Sequence, residues 1–384
     1  MEKSIYLDNN ATTRCDPRVV DVMLPYFSEI YGNPSNGYHQ QGRTTAKAVN
    51  TAREKVASLI NASAGEIFFT SGATESDNLS ILGVARAESL GKRNRIVTSL
   101  IEHKAILEPC NWLHERGFDV VYLPVDEHGV VVLDAAREVI DEKTLLVSIQ
   151  LANNETGVLQ PIKQIAEFAH EHGAWLHTDA AQAVGKISVD VSDLDVDLLS
   201  ISAHKFYGPK GIGALYINRA IQGSRIMPLT YGGGQEKGIR PGTLNVPGIV
   251  GLGMACELAE NVLVEEGIEI NRLRNFLEEC LEKKIAGLRI NGKNVLRLPN
   301  TSSLFFPDVD ADVMLLNMPN LMLGTGSACT SGAIEPSHVL QAMGISRQDA
   351  HRVIRVSLGR YSTFDEINTA SIVIYDTWAK CVGT

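Results

Sequence analysis

The sequence predicts an α/β protein, with a large domain built on a mostly parallel seven-stranded sheet and a smaller α+β domain beside it. Three patterns carry that reading. Short apolar runs alternate with amphipathic helices from about residue 17 to 255, polar clusters recur where the runs end, and the rhythm changes after a glycine-rich stretch at 231–243. A chain of 384 residues is long enough for two cores.

In chain order, the runs at 66–70, 95–100, 120–124, 145–151, 174–177, 197–202 and 213–217 read as buried strands. Alternation with helices covers both faces of such a sheet, and its ligands bind beyond the carboxyl ends of the strands. The polar clusters fall there: Ser71-Gly-Ala-Thr74, Glu102-His103, Asn153-Asn-Glu155, Asp179 to Gln182, and Ser202 to Lys205. The most apolar stretch, 246–264, is interrupted by Pro247, Glu257 and Glu260, so it reads as an amphipathic helix rather than a membrane span. A polar helix at 268–284, strand-like segments around Leu288 and Ser303, a small-residue loop at 324–332 and a last helix opened by the capping box Thr363-Phe-Asp-Glu366 follow. The large domain is expected over 16–255 and the smaller one over 1–15 and 256–384, with the active site between them.

Composition narrows the function. A net charge of −10 and a pI near 5.5, without a dense Lys/Arg run, argue against direct nucleic-acid binding. The N-terminus enters a strand without the charged and apolar regions of a signal peptide, which predicts a cytoplasmic protein. Six scattered cysteines, Cys15, Cys110, Cys256, Cys280, Cys329 and Cys381, show no paired spacing, so neither a metal site nor a disulfide framework is expected.

The chemistry is carried by Asp179 and Lys205, twenty-six positions apart and each following a strand. A lysine amine facing an aspartate in a phosphate-lined pocket is what pyridoxal 5'-phosphate needs: the amine binds the cofactor covalently and the carboxylate partners its ring nitrogen. Either residue alone would be a helix cap or a solvated loop charge. Phosphate donors are at hand, because a strand runs through Gly72 into a helix beginning near Ala73 and Thr74. Ser202 and His204 flank the lysine and supply more. Taken singly, Thr74 with Asp77 could be a plain helix cap.

His103 could lie over the cofactor ring and move protons. Asn154 and Gln182 are amides placed to hold a ring oxygen. Cys329 lies in Leu323-Gly-Thr-Gly-Ser-Ala-Cys-Thr-Ser-Gly332, too small and polar a run to bury a core face, and so reads as an accessible nucleophile. Arg355 could clasp an amino-acid carboxylate, or could equally form a strand-edge salt bridge.

Together these residues resemble the NifS/IscS-like cysteine desulfurases, in the class V group of fold-type I pyridoxal-phosphate enzymes. The resemblance spans nearly the whole chain. It rests on Tyr6-Leu-Asp-Asn-Asn-Ala-Thr-Thr13, Phe69-Thr-Ser-Gly-Ala-Thr-Glu-Ser76, Ile101-Glu-His103, Asn153-Asn-Glu155, Asp179-Ala-Ala-Gln182, Ser202-Ala-His-Lys205, Gly208-Pro-Lys-Gly211 and Gly326-Ser-Ala-Cys-Thr-Ser331. It implies a homodimer in which Thr243 of one subunit completes the phosphate site of the other. It also implies the reaction: L-cysteine displaces Lys205, loses its α-proton to a path involving His103, and yields its sulfur to the Cys329 thiolate, leaving a persulfide and alanine. Asn154 and Arg355 would hold the substrate, and an acceptor protein would receive the sulfur.

The sequence departs from the family pattern in three places. Thr325 stands where relatives often have serine, and Pro241 gives Arg240-Pro-Gly-Thr243 in place of Arg-Ser-Gly-Thr. The chain stops at Thr384, short of the extension that housekeeping members use to dock an iron-sulfur scaffold. Iron-sulfur assembly, tRNA thiolation, nitrogenase maturation and sulfur modification of DNA therefore stay open as destinations. Two other classes compete with the desulfurase reading: a transaminase, which would have no use for the thiol of Cys329, and a non-catalytic sulfur-carrier adaptor, which would have no use for Lys205, Asp179 and His103.

Overall fold

The computed structural model describes residues 4–88, 93–223, 225–325 and 336–383. Its first strand, β1 (Ile5–Tyr6), belongs to the smaller domain. Seven strands then build the large sheet: β2 (Ile67–Thr70), β3 (Arg95–Ser99), β4 (Asp119–Leu123), β5 (Thr144–Ser148), β6 (Trp175–Asp179), β7 (Leu198–Ser202) and β8 (Gly213–Ile217). They lie in the order β2-β8-β7-β6-β5-β3-β4. The pairs from β4 through β7 are parallel, while β8 is antiparallel to both its neighbours, β7 and β2. Six strands thus run one way and β8 the other.

Burial on both faces explains why these strands are short and apolar: every residue of β5, β7 and β8 is buried, as expected of strands covered by helices above and below. The apolar run 145–151 outlasts β5 because Ile149 and Leu151 still donate to the carbonyls of His177 and Asp179 beyond the last ladder position. Asp179 itself is the final residue of β6, not a loop residue beyond it. That fixes its carboxylate on the rigid sheet.

One helix, Val246–Lys284, runs unbroken for 39 residues. Asn245 caps it through Gly248 (3.1 Å), and Pro247 falls in the first turn, where a missing amide hydrogen is tolerated. Its first half (Ile249, Leu252, Cys256, Ala259) is buried in the large core, and its second half (Ile270, Leu273, Leu277, Leu281) in the small one. The two cores therefore share a single rod, and the handover falls between Ala259 and Ile270. By length and composition alone this helix could cross a membrane. Here its apolar half is core, packed so closely on the helix Gln40–Leu59 that a Cβ on Gly253 would lie 2.7 Å from Ala52.

The smaller domain is a four-stranded antiparallel sheet of β9 (Arg289–Ile290), β10 (Thr301–Phe305), β12 (Gly324–Thr325) and β13 (Val353–Ser357), ordered β12-β13-β10-β9. The remaining strand, β11 (Leu321–Met322), pairs in parallel with β1. The closing helix Phe364–Val382 opens with the Thr363/Glu366 capping box. From β1 the chain crosses between the domains as a strap: Asp8 bridges to Ser357, and Thr13 donates to the carbonyl of His204 (2.9 Å).

His170, near the end of the helix Ile162–Glu171, pins that helix to the sheet through Asp197 (2.8 Å) and Asp195 (3.1 Å). The bond to Asp197 raises the imidazole pKa to about 9. A raised folded-state value means that this stabilisation is complete below the unfolded histidine value of about 6.5 and is lost as pH climbs through about 9. The urea midpoint of the wild type should therefore fall over that window relative to His170→Gln. Parallel curves for the two proteins would contradict the assignment.

Candidate active site

Lys205 stands in the single 3-10 turn Ala203–Lys205 that follows β7, so the strand end sets its position. Its Nζ donates to the backbone carbonyls of Asn10 (2.6 Å) and Ala11 (2.9 Å), both on the N-terminal strap. Across a cavity of about 470 Å3 lies Asp179, 9% exposed, one carboxylate oxygen accepting from the amide of Ala181 (2.8 Å). Burial raises its pKa, while the charges of His103 and Lys205 oppose the rise. A buried carboxylate in this position favours a cationic partner.

His103 is the N-cap of the helix Lys104–His114, its Nδ1 accepting from the amide of Ala105 (3.1 Å). In the neutral ring that bond places the proton on Nε2. Burial lowers the pKa of the imidazole, so the neutral form is favoured. A group in this state can accept or release a proton at neutral pH.

At the end of β2 the chain turns through Gly72, whose φ of 149° excludes most side chains, and starts the helix Ala73–Ala87. The turn leaves the first-turn amides of that helix free of intrahelical acceptors and faces them to the cavity. A Cβ on Gly72 would lie 3.5 Å from the Ser202 hydroxyl, so the two sides of the anion cup meet here. His204 completes it, held by Thr12 through Nδ1 (3.0 Å) and kept neutral by burial, which takes its pKa down to about 4. The cap residue is Gly72 without a side-chain cap bond, so Thr74 and Asp77 do not form the plain helix cap that the sequence also allowed.

Ten of the residues singled out in the sequence line this one cavity: Ala73, Thr74, His103, Asn154, Asp179, Gln182, Ser202, His204, Lys205 and Arg355. Gln182 and Arg355, like Lys205 and His204, are already engaged with groups of the chain itself. Gln182 donates to the carbonyl of Asn10 (2.9 Å) and accepts from Lys186 (2.7 Å). Arg355, on the interior strand β13 and 3% exposed, makes an ion pair with Asp8 (2.7 Å) and donates to the carbonyl of Asn154 (3.1 Å). It is therefore not a strand-edge bridge. Its Nε is buried without an acceptor among the described residues, and a Cβ on Gly324 would lie 2.8 Å from Nη2, so glycine is needed there for the guanidinium to pass.

Thr243 is exposed and does not line this chain's cavity. Cys329 lies outside the described residues. None of Cys15, Cys110, Cys256, Cys280 and Cys381 lines the cavity, and burial pushes the Cys110 thiol up to about 12 and the Cys256 thiol higher still. Sequence reasoning missed the roles of Asp8, Asn10, Ala11 and Thr12, which hold Arg355, Lys205 and His204 from some 190 to 350 positions away. The only signal was their place in the Tyr6 to Thr13 motif.

An amine, an opposed buried carboxylate and a cup of amide and hydroxyl donors fit pyridoxal 5'-phosphate: Lys205 would hold its aldehyde carbon, Asp179 its ring nitrogen, and Ala73, Thr74, Ser202 and His204 its phosphate. The aminotransferase class-V family model matches residues 5–369. The chain belongs to that family. Within it, the chain falls among the cysteine desulfurases, and the cofactor of this class-V enzyme is pyridoxal 5'-phosphate. It is 45% identical over 376 residues to cysteine desulfurase IscS of Ehrlichia chaffeensis, covering 98% of this chain and 91% of that protein. A solved NifS-like protein superposes with a TM-score of 0.91 at 40% identity, covering 98% of this chain and all of that one. A second solved structure, SspA in complex with cysteine, has a TM-score of 0.82 at 38% identity, over 93% and 99% of the two chains.

Selective ¹⁵N labelling of histidine checks the geometry around His103. Its ring should be neutral at pH 7 with the proton on Nε2, and should titrate below an ordinary histidine. A ring protonated on both nitrogens at pH 7, assigned by loss of the signal in His103→Gln, would contradict the cap bond as drawn.

Proposed function

We propose that the protein cleaves the carbon–sulfur bond of L-cysteine, takes the sulfur on Cys329 and releases L-alanine. The observation that carries this reading is the convergence of Lys205, Asp179, His103 and Arg355 on one cavity with an anion cup at its end. When bound, pyridoxal 5'-phosphate supplies the electron sink that labilises the substrate's α-proton and its sulfur.

The rest is the work of the chain's own residues. Arg355, oriented by Asp8, receives the substrate carboxylate by exchange at Nη1 or Nη2. Asn154 lines the same wall. His103, neutral with Nε2 protonated, exchanges protons with the substrate, and Lys205 acts as the second base once its amine is released. Thiolate at Cys329 attacks the substrate sulfur: a sulfur–sulfur bond forms, the Cβ–S bond breaks, its electron pair stays with the carbon skeleton, and a proton delivered there gives alanine. One L-cysteine and one thiol thus yield one L-alanine and one persulfide.

A homodimer is part of this reading. It is supported by Thr243, exposed here and not part of its own chain's cavity lining, and by exposed Phe27, Tyr31 and Tyr38 on the same chain. The persulfide then passes to an acceptor protein, and a cytoplasmic location suits that traffic.

Two outcomes check the assignments. Arg355→Ala should raise KM for cysteine and lower kcat/KM on the order of 10- to 100-fold, the worth of a lost charge-assisted contact, with the bound cofactor's visible absorbance intact; unchanged kinetics would return Arg355 to its bridge with Asp8 alone. Cys329→Ser should keep that absorbance and its response to cysteine, yet release little alanine and carry no extra sulfur by mass spectrometry. A sulfur adduct on another cysteine, with turnover kept in the serine variant, would show that a different thiol is the acceptor.

A further inference from the structure

Beneath the cavity lies a carboxyl group that the reaction as described does not use. Asp77, on the second turn of the helix Ala73–Ala87, is fully buried, and neither of its oxygens has a hydrogen-bond partner among the described residues. It nevertheless lines the same cavity as Asp179 and Lys205.

The groups that face it offer no compensating charge. From β6 comes His177, whose Nε2 is 3.6 Å from Oδ1, but both ring nitrogens are committed to hydroxyls, Nδ1 to Ser148 (2.8 Å) and Nε2 to Ser200 (3.0 Å). Complete burial holds that ring neutral, its pKa down to about 3. Asp179 also comes from β6, Ser200 from β7, and Glu102 from the turn after β3. Glu102 is itself fully buried, with Ser99 and the amide of Gln150 on its oxygens (2.6 and 3.0 Å), and burial raises its pKa to about 8.

Buried carboxyl groups that interact cannot all ionise without cations. Here the cations stand on one side only. Asp179 has an amide donor and the charges of His103 and Lys205 to favour its ionised form, whereas Asp77 has burial and the charges of Asp179 and Glu102 against it, with only the nearby Ser200 hydroxyl, outside hydrogen-bond geometry, in its favour. Both values rise, that of Asp77 further.

We infer that Asp77 is carried as a neutral carboxylic acid, so that the negative charge of this buried group rests on Asp179, where the cofactor's ring nitrogen would meet it. This rests on the reading of the cavity as a pyridoxal-phosphate site. Asp77 is then a positioning residue, acting on the charge of Asp179 rather than on the substrate. An ionised Asp77 would divide the field of the site between two carboxylates and draw the ring proton away from the productive side.

Infrared difference spectroscopy of the holoenzyme labelled with [4-¹³C]aspartate tests this, because the label separates aspartate from Glu102 and Glu155. The wild type should show a protonated-carboxyl stretch at pH 7 that is absent in Asp77→Asn. In Asp179→Asn the like charge is gone, so the same stretch should persist but titrate about one pH unit lower or more. A purely structural role for Asp77 would not couple the two positions. Absence of the stretch from wild type, its survival in Asp77→Asn, or an unmoved titration in Asp179→Asn would overturn the inference. A wild type with no visible absorbance from cofactor, whatever its infrared spectrum, would instead remove the reading of the cavity and this inference with it.

Discussion

The site depends on one constraint: a lysine amine and an aspartate carboxylate, each at the end of a sheet strand, must face one another across one cavity lined largely by buried groups. Neither charge is tolerable there unless its neighbours are arranged for it. For Lys205 the arrangement is two backbone carbonyls, those of Asn10 and Ala11. These belong to the strap that leaves β1, pairs at Asp8 with Ser357 of the smaller domain, and ends on the carbonyl of His204 in the larger. The strap also brings Asp8 to Arg355 and Thr12 to His204. One short segment thus orients the cofactor lysine, the phosphate-cup histidine and the arginine.

That arrangement explains why the fold needs both cores. Asp179, Lys205, His103 and the Gly72 turn come from the large sheet, whereas Arg355 comes from β13 of the small one. Their separation is held by the helix Val246–Lys284, which belongs to both cores, and by the strap. Within the large domain, buried Glu236 pairs with Arg53 and accepts from the amide of Phe69, while Arg240 bonds Glu75 at the rim of the anion cup (2.8 Å). The glycine-rich stretch that looked irregular in sequence is therefore anchored at Glu236 to β2 and at Arg240 to the first turn of the helix Ala73–Ala87, and the left-handed backbone at Glu236 is held by the first of these ties.

Much of this was legible from the sequence, and the physical reasons are specific. Strands buried on both faces are necessarily apolar runs, so β2, β3 and β5 to β8 could be read, and their polar ends marked the cavity. Chemistry that needs a residue type also showed through, as with Lys205 and Asp179. What could not be read was anything depending on contacts across hundreds of positions. Nothing in Asn10-Ala11 announces that its carbonyls serve a lysine near residue 205, and nothing in Gln182 says that its amide is taken up by Asn10 and Lys186. Asp77 looked like a helix-cap partner because its neighbours in sequence allow that, while its neighbours in space are His177, Ser200 and Asp179. The single helix Val246–Lys284 looked like two segments because its buried face changes core partway along, so its apolar pattern breaks although its backbone does not.

Trapping the cofactor tests the account most directly. Borohydride reduction of the purified protein, followed by digestion and peptide mass spectrometry, should place a single pyridoxyl adduct on Lys205, and Lys205→Ala should lack both the adduct and the visible absorbance. Lys186 is the telling competitor, since it is held by Asn10 and Gln182 within the same network and burial lowers its pKa well below that of an ordinary lysine. An adduct on Lys186, or colour retained in Lys205→Ala, would contradict the opposition of Lys205 and Asp179 on which the account is built.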